Sequence, residues 1–303
     1  MNDNLENLHS LRDMVRWGAS QFSGAKLFFG HGTDNALDEA LAVVLHVLHL
    51  DYSLPGEYLD CRLTDAEKFA IKSMISERMT TRKPLAYLTG TAMFAGLEFA
   101  VNEHVLVPRS PIAELLINGY YPWVEPDNVH SMLDLCTGSG CIGLASAVYM
   151  PQTKVVVSDI SDQAIVLAKK NVESLQLQEQ VAVIKSDVYQ RIPAQKFDLI
   201  VSNPPYVSEE EYQQLPLEYH REPKLGLTAD HNGMQIVEKI LTRASDFLTE
   251  NGVIIVEVGA SADLLMRRYP QIEFNWIEFE HGGDGVFVMS KDELDAHCDD
   301  LKI

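Results

Sequence analysis

Four consecutive residues, Asn203-Pro204-Pro205-Tyr206, combine groups that suit gripping a flat amino group. A carboxamide oxygen and a rigid backbone carbonyl can each accept an N–H bond, and an aromatic ring can lie against the plane of the bound group. The apolar run before them, Phe197-Asp198-Leu199-Ile200-Val201-Ser202, reads as a buried strand. Proline cannot donate to a sheet ladder, so two in a row end that strand at Asn203. The residue before a proline is also pushed into an extended conformation. Asn203 is therefore expected at the carboxyl end of a strand, where open α/β sheets bind ligands. Taken without its surroundings, the tetrapeptide has a second, less favoured reading as a Pro-Pro turn carrying a surface tyrosine.

A second cluster is Cys136-Thr137-Gly138-Ser139-Gly140-Cys141-Ile142-Gly143, in which Gly138, Gly140 and Gly143 fit G-x-G-x-x-G between a strand and a helix. Glycine there lets the backbone approach a ligand closely, and the helix start offers free N–H groups. Asp159 follows Gly140 by 19 residues, at the end of the next strand, where a carboxylate can accept both ribose hydroxyls of an adenosine. These features fit NAD and S-adenosylmethionine alike. Asp134, just before the loop, favours a cationic methyl donor, because an acid there would repel the pyrophosphate of a dinucleotide. Asp187, after the third strand, is placed to meet an adenine amine.

The elements that must position these residues alternate. Strands are expected over 129–135, 154–158, 181–184, 197–202 and 253–258, with helices over 141–149 and 233–248 and one capped by Ser161. Two last strands, 272–279 and 286–289, flank Gly282-Gly283-Asp284-Gly285, and so short a loop makes them antiparallel. The fold class is α/β: a doubly wound, mixed, seven-stranded Rossmann-like sheet. Residues 1–90 read as a small helical domain, with Leu37, Leu41, Val44, Leu45 and Leu48 following Asp34 as N-cap. Thr64-Asp65-Ala66-Glu67 forms a capping box before Phe69, Ile71 and Met74. Residues 91–111 read as a hairpin connector: Leu97, Phe99 and Val101 alternate, Asn102-Glu103-His104 turns, and Val105 and Val107 alternate again. The catalytic domain is then 112–303.

The chain has 303 residues, 46% hydrophobic and 22% charged, with a formal net charge of −20. Affinity for nucleic acid comes largely from neutralising phosphates, so a chain this acidic without a basic stripe is not expected to bind it directly. An acidic surface instead draws in a basic protein. No apolar run approaches the ~20 residues of a membrane span. The polar N-terminus carries no secretory pattern, and scattered Cys61, Cys136, Cys141 and Cys298 suggest neither disulfides nor a metal site. A reducing cytoplasm is the expected compartment. Glu257 and Asp284 are further acidic candidates near the site, with a structural role at strand ends the favoured reading of each.

The string Asp134-Leu135-Cys136-Thr137-Gly138-Ser139-Gly140, with Asp159 and Asn203-Pro204-Pro205-Tyr206, resembles the class I methyltransferases that methylate the side-chain amide of glutamine in translation proteins. The resemblance covers nearly the whole chain. One branch of that family modifies peptide release factors and typically carries Arg-Pro-Asp-Thr-Glu after the hairpin. The other modifies the third large-subunit ribosomal protein. Arg109-Ser110-Pro111-Ile112-Ala113-Glu114 looks like the second branch, as do Tyr219-His220-Arg221-Glu222-Pro223 and Gly282-Gly283-Asp284-Gly285-Val286-Phe287. Cys136 departs from the commoner glycine.

By this resemblance the donor is S-adenosylmethionine, leaving as S-adenosylhomocysteine. It would contact Asp134, Cys136, Thr137, Gly138, Ser139, Gly140, Asp159, Ile160, Asp187, Val188 and Asn203. Asn203, Pro204, Pro205 and Tyr206 would hold the glutamine of a large-subunit ribosomal protein, with Asn203, Pro204 and Tyr206 as the catalytic set. A DNA adenine methyltransferase is the rival enzyme, since adenine's exocyclic amine suits the same grip; it would have to flip the base and bind phosphates.

Overall fold

The structure, a computed structural model, describes residues 5–301. They form two compact units, one made of residues up to Thr91 together with Pro216–Arg221, the other of Ala92–Leu215 and Glu222 onward.

The first unit is helical. Its main helices run over Leu11–Gly24, Ala36–Val47 and Asp65–Thr81. The last of these starts at the expected capping box, with the Thr64 side chain accepting from Glu67 N and the Glu67 side chain accepting from Thr64 N. The middle helix is capped by Asn35, whose Oδ1 accepts from Leu37 N and Asp38 N, and not by Asp34. Its buried residues are Ala40, Ala42, Val43, Val44 and Leu45, while Leu37 is 55% exposed. The reason is that this helix is apolar around most of its circumference, so periodicity alone does not select the face. Phe69, 73% exposed, likewise turns away from the core formed by Ile71 and Ile75.

Arg78 is wholly buried in this unit. Its Nε donates to Glu39 Oε1 at 2.7 Å, its guanidinium reaches the Phe28 carbonyl at 3.2 Å, and Glu218 Oε1 lies 3.7 Å away. Arg82 also pairs with Glu218, at 3.2 Å. Glu218 belongs to the run Pro216–Arg221, which the chain reaches ten residues after Tyr206, so these ion pairs fix part of the segment that follows the Asn203–Tyr206 tetrapeptide.

The second unit opens with a hairpin, β1 (Thr91–Phe94) and β2 (Leu97–Ala100). This lies one strand earlier than the pattern suggests. Ala95 and Gly96, both with positive φ, make the two-residue turn whose twist matches a hairpin. Val105 and Val107 are buried in the segment after it but join no strand.

The main sheet contains β3 (Ser131–Leu135), β4 (Lys154–Asp159), β5 (Val181–Lys185), β6 (Phe197–Ser202), β7 (Leu248–Glu257), β8 (Asn275–Trp276) and β9 (Val286–Ser290). Its order is β5-β4-β3-β6-β7-β9-β8. The five strands from the β5 edge to β7 are parallel and β9 runs antiparallel to both neighbours, giving the mixed edge expected from its short loop. Both faces are buried, and the strands alternate between them. Leu133, Leu135 and Ile200 pack with Val237, Ile240 and Leu241 of the helix Gln235–Phe247. Met132, Leu199 and Val201 pack on the other face with Leu144 and Ala145 of the helix Cys141–Tyr149. Each such side chain, fully buried, contributes about 1.5–3 kcal/mol. β7 begins before Asn251-Gly252, which falls within a register shift between β6 and β7 and not in a turn ahead of the strand. β8 is shorter than the expected 272–279.

Candidate active site

Sheet register places the three strand ends that matter side by side. Leu135 pairs with Ser158 on one side and Ser202 on the other, so the following residues, Cys136, Asp159 and Asn203, stand at one level of the carboxyl edge. Ser202 Oγ closes this row by donating to the Leu135 carbonyl at 2.8 Å. The crevice is where strand order reverses, since β3 connects to β4 on one side while β6 flanks it on the other.

The glycine loop is held from beneath and from both ends. Cys136, Gly138 and Gly140 have positive φ, and the helix Cys141–Tyr149 starts immediately after. Cys136 at φ 58° occupies a region that suits glycine, which gives a backbone reason for the commoner glycine there. Burial pushes its thiol pKa up, with Asp159 and Asp134 adding to the rise, so Cys136 stays protonated and packs as a small apolar group. A Cβ on Gly143 would meet Val157 Cγ1 at 2.4 Å and Asp134 Oδ2 at 3.0 Å; that glycine is needed for close helix–strand packing.

Asp134 is 1% exposed. Its Oδ2 accepts from Thr137 Oγ1 at 2.5 Å and Gly143 N at 2.9 Å, which ties the strand to the loop and to the first turn of the helix. Its Oδ1 is buried without a hydrogen-bond partner among the described residues. Burial pushes its pKa up to about 7, against the pull of those two donors. Asp159 accepts from Gly138 N at 2.9 Å and from Ser161 N at 2.8 Å, so it too is oriented by the loop it faces. Burial raises its pKa from the ordinary carboxylate range. Ile160 beside it is 49% exposed, an apolar surface next to the acid. The corner after β5 is a tight one: Ser186 N donates to the Asp159 carbonyl, Val188 has φ 47°, and Asp187 accepts from Gln190 Nε2 at 2.9 Å.

At the other side of the crevice, Pro204 is buried and Asn203, Pro205 and Tyr206 are half-buried. Tyr206 is fixed at several points. Its hydroxyl donates to Glu257 Oε1 at 3.2 Å and its carbonyl accepts from Ser261 Oγ at 2.9 Å. Its ring lies on Gly259, where a Cβ would stand 2.9 Å from two ring atoms and from the hydroxyl oxygen. Gly233 comes so close to the Tyr206 carbonyl that a Cβ there would sit at 2.1 Å.

Two residues outside the expected catalytic and binding set reach the site. Asn171, on the helix Asp162–Ser174, donates to the carbonyls of Ser139 and Ala100 and accepts from Ala100 N, bracing the glycine loop against β2. Glu257, read as structural, ends β7 with its carboxylate between Tyr206 and Ser110. The only sequence signal for it was an acid closing a run of apolar strand residues.

Residues 122–217 match the methyltransferase small domain family. A ribosomal protein uL3 glutamine methyltransferase from Francisella tularensis is 44% identical over 301 residues, covering 99% of this chain and 96% of that protein. The enzyme of the same description from Xylella fastidiosa strain 9a5c is 48% identical, covering 98% of this chain and 95% of its own. The chain belongs to this family of uL3 glutamine methyltransferases. A solved structure of the hMettl16 catalytic domain with a MAT2A 3′UTR hairpin, 16% identical, covers 91% of this chain and 90% of that one at a TM-score of 0.50, a likeness of fold alone.

Within the larger unit of this uL3-type methyltransferase, residues 109–114, Glu222 and the stretch 280–283 are tied to one another and to β7. Arg109 forms a two-pronged ion pair with buried Glu222, both contacts at 2.7 Å, and Glu222 also accepts from Val107 N. Ser110 reaches Glu257 at 2.5 Å. Pro111 packs so closely on Gly283 that a Cβ there would lie 2.5 Å away. Glu114 accepts from the backbone N–H groups of Glu280 and His281, just before the glycines.

Proposed function

We propose that this chain transfers a methyl group from S-adenosylmethionine to the side-chain amide nitrogen of a glutamine in ribosomal protein uL3. The observation that carries the reading is the placement of Asn203 on the strand beside β3, level with Cys136 at the start of the glycine loop, with Tyr206 fixed beside it.

The donor fits the residues present. An acceptor atom buried without a partner costs about 1–3 kcal/mol, and Asp134 Oδ1 is one, beside a loop whose positive-φ glycines leave the backbone open. A cationic group there would relieve it. Asp159 would hold the ribose hydroxyls, Ile160 and Val188 would border the adenine, and Asp187 would meet its amine. When bound, the donor supplies an electrophilic methyl carbon on a sulfonium.

The amide nitrogen of glutamine is a poor nucleophile because its lone pair is delocalised into the carbonyl. Asn203 Oδ1 and the Pro204 carbonyl would accept its two N–H bonds and turn the lone pair toward the methyl carbon. Orientation of this kind is worth roughly 7–11 kcal/mol in favourable cases. The same two acceptors stabilise positive charge as it develops on nitrogen, with no general base needed. Tyr206 packs on the amide face and excludes water. The proton leaves to water after transfer.

The experiment is mass spectrometry of free uL3, intact large subunits, a release factor and DNA, each incubated with the protein and donor. One added methyl on one glutamine of uL3 is expected, with free uL3 the better substrate because the acidic surface suits a basic protein not yet covered by RNA. Methylation of DNA or release factor in its place refutes the reading.

Donor affinity should also depend on pH through Asp134. Below about 7 its carboxyl is protonated in the free protein, and a cation near Oδ1 favours the ionised form. The donor Kd should therefore fall roughly tenfold from about pH 6 to about pH 8 and level off above that. Titration calorimetry should show this slope in the wild type and none in Asp134→Asn. A flat wild-type profile would remove the assigned role of Asp134.

A further inference from the structure

Asparagine has a carbonyl oxygen and an amino group of nearly the same shape, and only the oxygen can accept from a substrate N–H. Something in the protein must choose which end faces the crevice. In the parallel pairing of β6 with β7, Ser202 sits opposite Val256, so the next residues, Asn203 and Glu257, stand side by side. Glu257 is 6% exposed. Its Oε1 accepts from the Tyr206 hydroxyl at 3.2 Å and its Oε2 from Ser110 Oγ at 2.5 Å. Ser110 Oγ in turn accepts from Ile112 N at 3.2 Å, which leaves its own proton for the carboxylate. The Asn203 side chain, on the same side of the sheet, also draws the Glu257 pKa down, as Ser110 and Tyr206 do.

We propose that Glu257, held by Ser110, is the positioning residue that takes the amino end of Asn203 and thereby turns Asn203 Oδ1 toward the substrate amide. The inference rests on the methyl-transfer reading and adds to it a chain of contacts: Ser110 fixes Glu257, and Glu257 fixes both Asn203 and Tyr206. Burial raises the Glu257 pKa, against the pull of Ser110, Tyr206, Arg109 and Asn203; in its ionised form the carboxylate accepts only and cannot pair with the oxygen end of Asn203. A neutral amide at 257 could pair with either end and would lose the selection. Ser110 lies in the stretch that resembles the ribosomal-protein branch, which gives that stretch a direct physical link to the amide grip.

The test uses the full-length protein and Glu257→Gln. By NMR, the two side-chain amide protons of Asn203, assigned by their loss in Asn203→Ala, should exchange slowly with water in the wild type and markedly faster in Glu257→Gln. With uL3 as substrate, kcat should fall by about tenfold to a hundredfold while the KM for uL3 and the Kd of S-adenosylhomocysteine stay within about threefold. Ser110→Ala should shift both readouts the same way by less. Unchanged Asn203 exchange in Glu257→Gln, a kcat within about twofold of wild type, or a loss of donor binding in step with kcat would each overturn the proposal. Should the wild type fail to methylate uL3, the substrate reading falls, while the exchange measurement still decides the orientation of Asn203.

Discussion

Asn203→Ala is expected to lower kcat by roughly 10²–10³-fold or more while leaving the donor Kd within about threefold of wild type. The donor's main contacts would lie on the glycine loop and on Asp159, which are held by bonds that do not involve the Asn203 side chain: Asp134 to Thr137 and Gly143, Asp159 to Gly138 and Ser161. Binding should therefore survive. Turnover should not, because in the proposed mechanism the carboxamide would supply one of the two acceptors that hold the target nitrogen. Removing it costs orientation and charge stabilisation together, and both act mainly in the transition state. Single-turnover transfer of a labelled methyl group, set beside titration calorimetry of donor binding, separates the two quantities. A mutant that turns over at near wild-type rate would show that Asn203 is not the grip.

Arg78→Ala should destabilise the helical unit by about 3–5 kcal/mol. Arg78 is 0% exposed, and both Glu39 and Glu218 are 1% exposed. Without the guanidinium, Glu39 keeps a hydrogen bond from Thr33 Oγ1 but no described ion pair, and Glu218 keeps only Arg82. Desolvation of a carboxylate is repaid only by a close cation, so the cost falls on removing one partner and not on the polar character of the site. Replacing Arg78 and Glu39 together by apolar residues should accordingly cost less than Arg78→Ala alone. Hydrogen exchange followed by mass spectrometry checks this by segment. Faster exchange is expected in 36–47, 65–81 and 216–221, and little change in β3 to β7. A uniform change across both units would point to global loosening. The segment 216–221 matters because it continues from the Asn203–Tyr206 tetrapeptide, so its release should also lower kcat on uL3.

Much of the site was legible because its signals are local. A strand, a glycine loop, a helix and an acid at the next strand end lie within about thirty residues, and the chemistry of each residue type is carried by its neighbours. The same holds for the capping box at Thr64–Glu67 and for the proline pair that ends β6. The hairpin was placed one strand late because Ala95 gives no turn signal; its positive φ is imposed by the turn and not advertised by its side chain. Asp34 and Asn35 are both good caps, and only the backbone shows that Asn35 has the extended conformation and the two accepted N–H bonds. From its position alone Glu257 reads as structural, because the partners that give it meaning are far away in the chain: Ser110 is 147 residues earlier and Tyr206 51. The pairing of Arg109 with Glu222 spans 113 residues, and no periodicity in the sequence reports it. Long-range pairs of this kind are set by sheet order, which is known only once the strands are assembled.

The most direct measurement is a crystal structure of the protein with S-adenosylhomocysteine and a glutamine-containing peptide of uL3. The glutamine amide nitrogen should lie within hydrogen-bond distance of both Asn203 Oδ1 and the Pro204 carbonyl, with the Tyr206 ring against its plane and the donor sulfur on the opposite side. A glutamine bound elsewhere, or an Asn203 side chain turned away from the sulfur, would contradict the account.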